Sequence, residues 1–405
     1  MKLLRTVSTR RLLAVVVGFV AVIAGGTAIA LAASGTGPVP PRKPLAGAIH
    51  DALGAPAPAG ITAQISFTNH LIDSSNLQGS DPILTGATGR LWLSSDHRLR
   101  IELQSDNGDA EVVVSNGSFS AYDPGSNTVY EGKLPSGSEA VPERPQHDAL
   151  PSVAQIQAEL GRLMAHLDLS GAIPSDVAGQ AAYTVRVSPK HDGGLLGAGE
   201  LAWDSARGVP LRIAVYAKND STPVLELKAT NIIYGSVPAS DFAVPPPGGA
   251  KVVKVATPAG AHGAGASPHG AASKHRHHAE ISGIATVARA LPFKLTAPST
   301  LVGLPRRSVT LLDWGGSRAA LVSYGANLGG VAVIERSAGS RTAGHPGAGG
   351  GHSHLALPTV SINGATGQEL DTALGTMVRF ARGAVSYTVI GSVPAAAADA
   401  AARAL

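Results

Sequence analysis

Eight of the fourteen histidines fall in two glycine-rich stretches. His262, His269, His275, His277 and His278 lie in "TPAGAHGAGASPHGAASKHRHH", and His345, His352 and His354 in "GHPGAGGGHSH". Neutral imidazoles bind zinc, copper or nickel, and a pliable chain can gather several around one ion. A structural metal site also needs fixed ligands and outer groups that hold each ring, and glycine-rich loops supply neither. The pattern therefore reads first as a solvated linker. Weak metal binding at His275, His277, His278, His352 and His354 is the second reading. Clustered imidazoles also titrate near neutrality, but no bistable element that would turn this into sensing is visible.

Other reactive chemistry is missing. The chain has no cysteine, which removes disulfides, thiol catalysis and thiolate metal sites together. There is no G-x-S-x-G elbow, no S-x-x-K, no H-E-x-x-H and no P-loop. Serines, histidines and aspartates are scattered, and nothing brings a base next to a nucleophile. The expectation is a protein that is not an enzyme and carries no cofactor.

The first residues bear on the compartment. Lys2, Arg5, Arg10 and Arg11 precede "LLAVVVGFVAVIAGGTAIALAA" (12–33), which carries no charge. Such a run can span a hydrocarbon core of about 30 Å with its basic flank in the cytoplasm. "ALAAS" (30–34) also offers small residues for cleavage near Ala32/Ala33. Residues 1–34 are thus a membrane anchor or a signal peptide. Everything after them is expected to be extracytoplasmic, in the cell envelope or secreted.

Charge is uneven along the chain. Residues 45–256 hold 14 Lys and Arg against 22 Asp and Glu, a balance of −8, whereas residues 281–405 hold 10 against 5, or +5. This suits two ordinary surfaces of different composition, halves that dock, or a basic half that meets an acidic partner or anionic headgroups. No dense basic run interleaved with aromatics appears, so nucleic acid is not an expected partner.

The elements between these stretches follow from periodicity. "SGTGPVPPRKP" makes 35–44 a proline-rich spacer, and 257–280 is a Gly/Ala/His-rich linker between a domain at 45–256 and one at 281–405. In the first domain "RLRIELQ", "YTVRV", "PLRIAVYA" and "LELKA" alternate apolar with polar residues, the mark of antiparallel strands with one buried face. "SSDHR", "SDNGD", "SNGS", "DPGSN" and "SARG" supply the turns between them. "FSAYDPGSNTVYEG" reads as one hairpin, with Phe119 and Ala121 on one arm and Val129 near the start of the other.

"SVAQIQAELGRLMAHLDL" (152–169) breaks the alternation, with Val153, Ile156, Leu160, Leu163 and Leu167 at helical spacing. Ser152 and Gln155 are placed for a capping box. A helix apolar on one side must cover something, here the apolar face of the sheet. A tight cover makes a core and a loose one a cavity. The candidate cavity residues are Leu99, Ile101, Leu103, Phe119, Val185, Trp203, Ile213, Val215, Leu225 and Leu227. Trp203 shares the strand phase of Leu201 and reads as core or cavity wall. Trp92 is out of phase with Leu91 and Leu93 and is expected on the outer or edge face, where it would suit membrane contact.

The second domain reads as α+β. "SVTLLDW", "AALVSYG", "GVAVIER" and "AVSYTVIG" are strands, "TGQELDTALGTMVRF" contains a helix, and "SVPAAAADAAARAL" starts a last helix with Ser392 as N-cap and Pro394 in its first turn.

"GRLWLSSDHRLRIEL", "FSAYDPGSNTVYEGKLP", "LAWDSARGVPLRIAVYAKND" and "FAVPPPGGAKVV" resemble the bacterial LolA-like lipoprotein carriers and the related lipoprotein-binding envelope-stress regulators. The resemblance covers 45–256 and matches a style of hairpin more than a set of invariant atoms. It implies a curved antiparallel half-barrel wrapped over helices, with acyl chains of a lipid or acylated protein in an apolar interior. The C-terminal "VSINGATGQEL" and "VRFARGAVSYTVIGSVP" resemble uncharacterised domains of anti-sigma-like bacterial membrane proteins. That implies a regulatory protein partner for 281–405. The long apolar run and the second domain depart from simple soluble carriers, which puts free shuttling between membranes in doubt.

Overall fold

The computed structural model describes residues 37–72, 82–104, 108–134, 150–255, 281–314, 317–338 and 357–405. The apolar run 12–33, the 257–280 stretch and all eight clustered histidines lie outside the described residues, as do the side chains of Asp313, Trp314 and Ser317.

Helix α1 (Leu45–Gly54) precedes a long sheet built from β1 (Gly60–Asn69), β2 (Ala87–Ser94), β3 (Leu99–Gln104), β4 (Ala110–Ser115), β5 (Ser118–Asp123) and β6 (Thr128–Lys133). After α2 (Val153–Leu163) the sheet continues with β7 (Leu167–Leu169), β8 (Ile173–Val177), β9 (Gln180–Pro189), β10 (Leu196–Asp204), β11 (Pro210–Ala217), β12 (Pro223–Tyr234) and β13 (Lys251–Val255). The order is β13-β6-β5-β4-β3-β2-β1-β12-β11-β10-β9-β7, with β8 also on β9. β1 joins two antiparallel meanders through its pairing with β12. The sheet is open, and its register shifts at Gln64/Ile65, Leu196/Ala198 and Ala202/Trp203 are bulges, which bend and twist the strands that carry them.

The predicted β5–β6 hairpin forms with Phe119 opposite Gly132, turning through Pro124–Ser126 with Asn127 left-handed at φ 43°. Gly132 is needed there, because a Cβ would lie 2.6 Å from the Phe119 ring. β13 adds to β6 in parallel, a pairing that alternation alone does not reveal.

Two expectations for the inserted helix are corrected. It ends at Leu163, and Leu167–Leu169 pair with β9 as a strand. The Ser152–Gln155 capping box does form. The helix does not cover the sheet: Ile156 is buried, but Val153 and Leu163 are exposed, and it leans on α1. The cover is α1, whose Leu45, Ala48 and Ala52 pack on Tyr183, Val185, Leu201 and Trp203.

A second sheet follows α3 (Ile284–Ala290): β14 (Thr300–Leu301), β15 (Leu304–Trp314), β16 (Ser317–Tyr324), β17 (Val331–Ser337), β18 (Thr359–Ile362), β19 (Ala365–Thr372), β20 (Gly375–Arg382) and β21 (Val385–Gly391). Its order is β14-β15-β16-β17-β21-β20-β19-β18. The helix expected within 366–380 is absent. That stretch is the β19–β20 hairpin, with Val378 and Phe380 alternating into the core. The last helix, α4 (Ala395–Arg403), buries Ala398, Ala401 and Ala402 against this sheet, and its N-cap is Pro394 rather than Ser392.

Ser392 works elsewhere. Its hydroxyl donates to the Leu374 carbonyl at 2.7 Å, and the Leu195 N–H donates to its hydroxyl at 3.0 Å and its carbonyl at 3.1 Å. The Gly329 N–H meets the Asp192 carbonyl at 3.3 Å, and the Ala373 N–H meets the Leu71 carbonyl at 2.9 Å. So the two sheets touch through backbone bonds, and none of the ion pairs named below crosses between them. Gly194, at φ 62°, leaves no room for a Cβ against Ser392. Gly194→Ala is expected to open this seam, since the left-handed backbone alone costs a side chain roughly 1–2 kcal/mol. Amide exchange at Leu195 and Ala373 should speed up together, and unchanged exchange at both would count against the seam.

Candidate functional site

The register gathers all ten predicted cavity residues on one face of the long sheet. Phe119 pairs with Val114, Val114 with Leu99, Leu99 with Leu93 and Leu93 with Ile61. Ile101 pairs with Leu91, and Leu103 with Gly89 beside Ile65. Across the β1–β12 join, Phe67 pairs with Leu227, Leu227 with Ile213, Ile213 with Leu201 and Leu201 with Val185. Leu225 pairs with Val215, and Trp203 with Tyr183. Strand alternation carries one apolar surface from β5 to β9.

Cover is uneven along this face. At one end α1 closes over Val185 and Trp203; at the other Leu134 and Val255 pack on Leu99 and Phe119, and all four predicted residues are buried. Between them Ile101, Leu103, Ile213, Val215, Leu225 and Leu227 are only half-buried. β12, β11 and β3 are interior strands, so this exposure is not an edge effect. The apolar face has a part that nothing among the described residues fully covers. Trp203 is core, as expected, and its buried Nε1–H has no acceptor among the described residues.

The opposite face is ionic. Glu200 of β10, 1% exposed at its side chain, accepts from Arg186 at 2.8 Å, from Arg212 at 2.6 Å and from the Tyr216 hydroxyl. Arg212 also reaches Glu226 at 2.6 Å and donates to Tyr216 at 2.8 Å, and Lys228 flanks Glu226 at 3.3 Å. Arg186 lies 4.6 Å from the Tyr216 ring centre. Further along, Arg100 bridges Glu102 and Glu111 at 3.0 Å each and stands 4.7 Å over Trp92. Trp92 is thus on the outer face as expected. It is half-buried beside Val113, Val237 and Phe242 rather than free for membrane contact. The sequence reading passed over this charge ladder, although alternating Arg186, Glu200, Arg212 and Glu226 were its signal.

The second sheet holds one buried acid of a different kind. Glu335 of β17 is 0% exposed and shares the core face with Val331 and Val333. Its Oε2 accepts the Thr296 N–H at 2.8 Å, and its Oε1 has no partner among the described residues. Burial pushes its carboxyl up to about 7, against the smaller pull of that hydrogen bond. Tyr324, whose buried hydroxyl is also unpartnered, is pushed up to about 12 by burial.

No group of acids and histidines able to hold a metal ion occurs among the described residues. The five histidines suggested for weak metal binding, His275, His277, His278, His352 and His354, lie outside them.

These features define an open, mostly antiparallel sheet with one apolar and one charge-laddered face, followed by a smaller helix-backed sheet. No family model matches the chain, and no curated protein matches it. Among solved structures it is similar to the MucA/MucB complex of Pseudomonas aeruginosa, with 17% identity over 89% of this chain and 97% of that one and a TM-score of 0.40. A crystal structure of MucB in complex with MucA(peri) gives 16% identity over 88% and 94%, with a TM-score of 0.38. A LolA-superfamily protein of Nitrosomonas europaea gives 8% identity over 50% and 99%, with a TM-score of 0.20.

Proposed function

We propose that the chain is an extracytoplasmic, envelope-associated binding protein that holds acyl chains of a lipid or acylated protein against the apolar face of its first sheet, and that it is not an enzyme. The observation that carries this reading is the half-buried group Ile101, Leu103, Ile213, Val215, Leu225 and Leu227 on interior strands of an otherwise covered face. Apolar surface left open at the centre of a sheet loses free energy to water in proportion to its area, at about 25 cal/mol per Å², and an acyl chain recovers it. Residues 12–33 tether the protein to the membrane in this reading, with 45–256 as the binding domain and 281–405 as a second domain.

Leu227→Asp tests it, because Leu227 is central and half-exposed. A carboxylate facing an acyl chain should weaken binding of a fluorescent fatty-acid probe by about 10-fold or more, with the fold retained. Unchanged affinity would place the probe elsewhere. Lipid extraction of the full chain taken from its own envelope is the complementary check, and a lipid-free protein that also ignores acyl probes sinks the reading.

A second reading, a membrane-anchored regulator whose second sheet binds a protein partner, has its own observation. Helices α3 and α4 pack on one face of that sheet. The other face brings Leu321, Ile334, Met377 and the exposed Ile390 together with Arg336 and Arg379, neither in an ion pair among the described residues. Arg336 is held below its ordinary value by burial and by Arg379. A partner pull-down that survives Ile390→Asp with Arg379→Glu would rule out this surface.

A further inference from the structure

The rim formed by α1, α2 and the chain leading into α1 carries more bare apolar surface than a sheet cover requires. Val39, Leu53, Leu150, Val153, Leu163 and Met164 are each 41–54% exposed. They lie on α1, α2 and the segments that lead into them, which pack together. α1 packs on α2, His50 bonds the Pro151 carbonyl at 2.9 Å, and a Cβ on Gly54 would stand 3.2 Å from Leu150. Leu163 ends α2 and Met164 caps it. Val39 is held beside Pro41, whose carbonyl accepts from Tyr183 at 2.6 Å, and Ala48 of α1 packs on that tyrosine. Exposed apolar side chains standing singly are ordinary, but grouped ones mark an interaction surface.

The place where the chain joins the fold says what that surface meets. The uncharged run ends at residue 33, and only residues 34–36 separate it from Gly37. Three residues reach at most about 11 Å. Pro40 is buried and the Pro41 carbonyl is held by the Tyr183 hydroxyl of β9 at 2.6 Å, so the chain is fixed to the sheet a few residues on. A chain whose residues 12–33 lie in a bilayer therefore brings the α1/α2 rim to the surface of that bilayer.

We propose that this rim is a membrane-docking surface, seating Val39, Leu53, Leu150, Val153, Leu163 and Met164 in the interfacial layer of the bilayer that anchors the chain. It rests on the reading of residues 12–33 as an anchor and not on acyl binding. The charges around it are largely paired, Lys43 with Asp51 and Arg162 with Glu159, so apolar insertion rather than attraction to anionic headgroups drives the contact. An acyl chain leaving the bilayer would then meet the first sheet from its helical side.

The absence of cysteine makes the test clean. The full chain, carrying Val153→Cys or Met164→Cys with an environment-sensitive fluorophore, is reconstituted in vesicles of phosphatidylcholine alone and of phosphatidylcholine with phosphatidylglycerol. Ile233→Cys, 64% exposed and on the Trp92 face of the sheet, opposite the face that α1 covers, is the reference. Lipid-borne nitroxides should quench the rim labels about 3-fold more than the reference in both vesicles, as for a helix lying in the interface. Equal quenching in a chain that floats with the vesicles overturns the docking surface while leaving the anchor standing. Quenching that needs phosphatidylglycerol overturns the apolar contact. A chain that does not float with vesicles overturns the anchor, and the docking surface with it. An acyl probe in the same samples reports the binding reading separately.

Discussion

Glu335→Gln is expected to stabilise the second sheet above neutral pH and leave it unchanged near pH 4. The wild-type carboxyl titrates at 4.5 when unfolded and at about 7 when folded. Below pH 4.5 both states are protonated and the group contributes nothing to the difference. Between 4.5 and 7 the unfolded chain ionises while the folded one stays neutral, so stability falls as pH rises. Above 7 the loss is complete, at about 3 kcal/mol for a shift of this size at 1.36 kcal/mol per pH unit. Glutamine keeps the acceptor for the Thr296 N–H and cannot ionise. Melting temperatures of both proteins from pH 4 to pH 9 should diverge by roughly 6–12 °C at the alkaline end, at 2–4 °C per kcal/mol. Parallel curves would mean that Glu335 is charged in the folded state and has a partner. Thr296 also bonds the Tyr387 hydroxyl at 3.1 Å, so the chain crossing this core face is held at two points. Loosening it should show first as faster exchange of the Thr296 amide.

Arg212→Leu is the other large effect. Arg212 stands between Glu200 and Glu226, both buried, and removing it leaves two carboxylates facing one another across the sheet. Breaking such a pair costs about 3–5 kcal/mol, because the surviving charge stays desolvated. Arg186 and Tyr216 still serve Glu200, and Lys228 serves Glu226, so the lower part of that range is expected. Urea unfolding of the first sheet reports the loss. Adding Glu200→Leu and Glu226→Leu should recover most of it, since apolar groups of similar size often replace a buried ion network at little cost. A triple variant as unstable as the single one would show that the ladder stabilises the sheet in itself. Acyl binding should persist in any variant that folds, because these residues face away from the apolar surface.

The ladder and the apolar face constrain one another. A sheet with one ionic face cannot be inverted by slipping one residue, since that would move arginines into the core and leucines into water. The interior strands can therefore keep leucines half-exposed without losing register. That is the condition a binding face needs when it is empty.

Much of the first sheet was legible from alternation in "RLRIELQ", "YTVRV", "PLRIAVYA" and "LELKA", because a strand with one wet face shows a period of two whatever its partners are. The same period placed all ten candidate residues on one face. The capping box at Ser152 was equally local. α1 was missed because "LAGAIHDALG" is short and rich in small residues, and its burial depends on Tyr183 and Trp203 far along the chain. The helix expected in 366–380 became a hairpin because Val378 and Phe380 pack against Tyr387 and α4, a tertiary choice that outweighs local propensity.

By itself the sequence determined which residues share a face, where turns fall, that the chain has no thiol, and that an uncharged run precedes the fold. Those properties belong to neighbours in the chain. Only the tertiary structure decided that α1 rather than α2 covers the sheet and that the interior of the apolar face stays half-open. It also decided that Glu335 is buried without a counter-charge among the described residues and that hydrogen bonds at Ser392 join the two sheets. Each of these depends on atoms brought together across long stretches of chain, and cover, desolvation and contact are properties of that assembly.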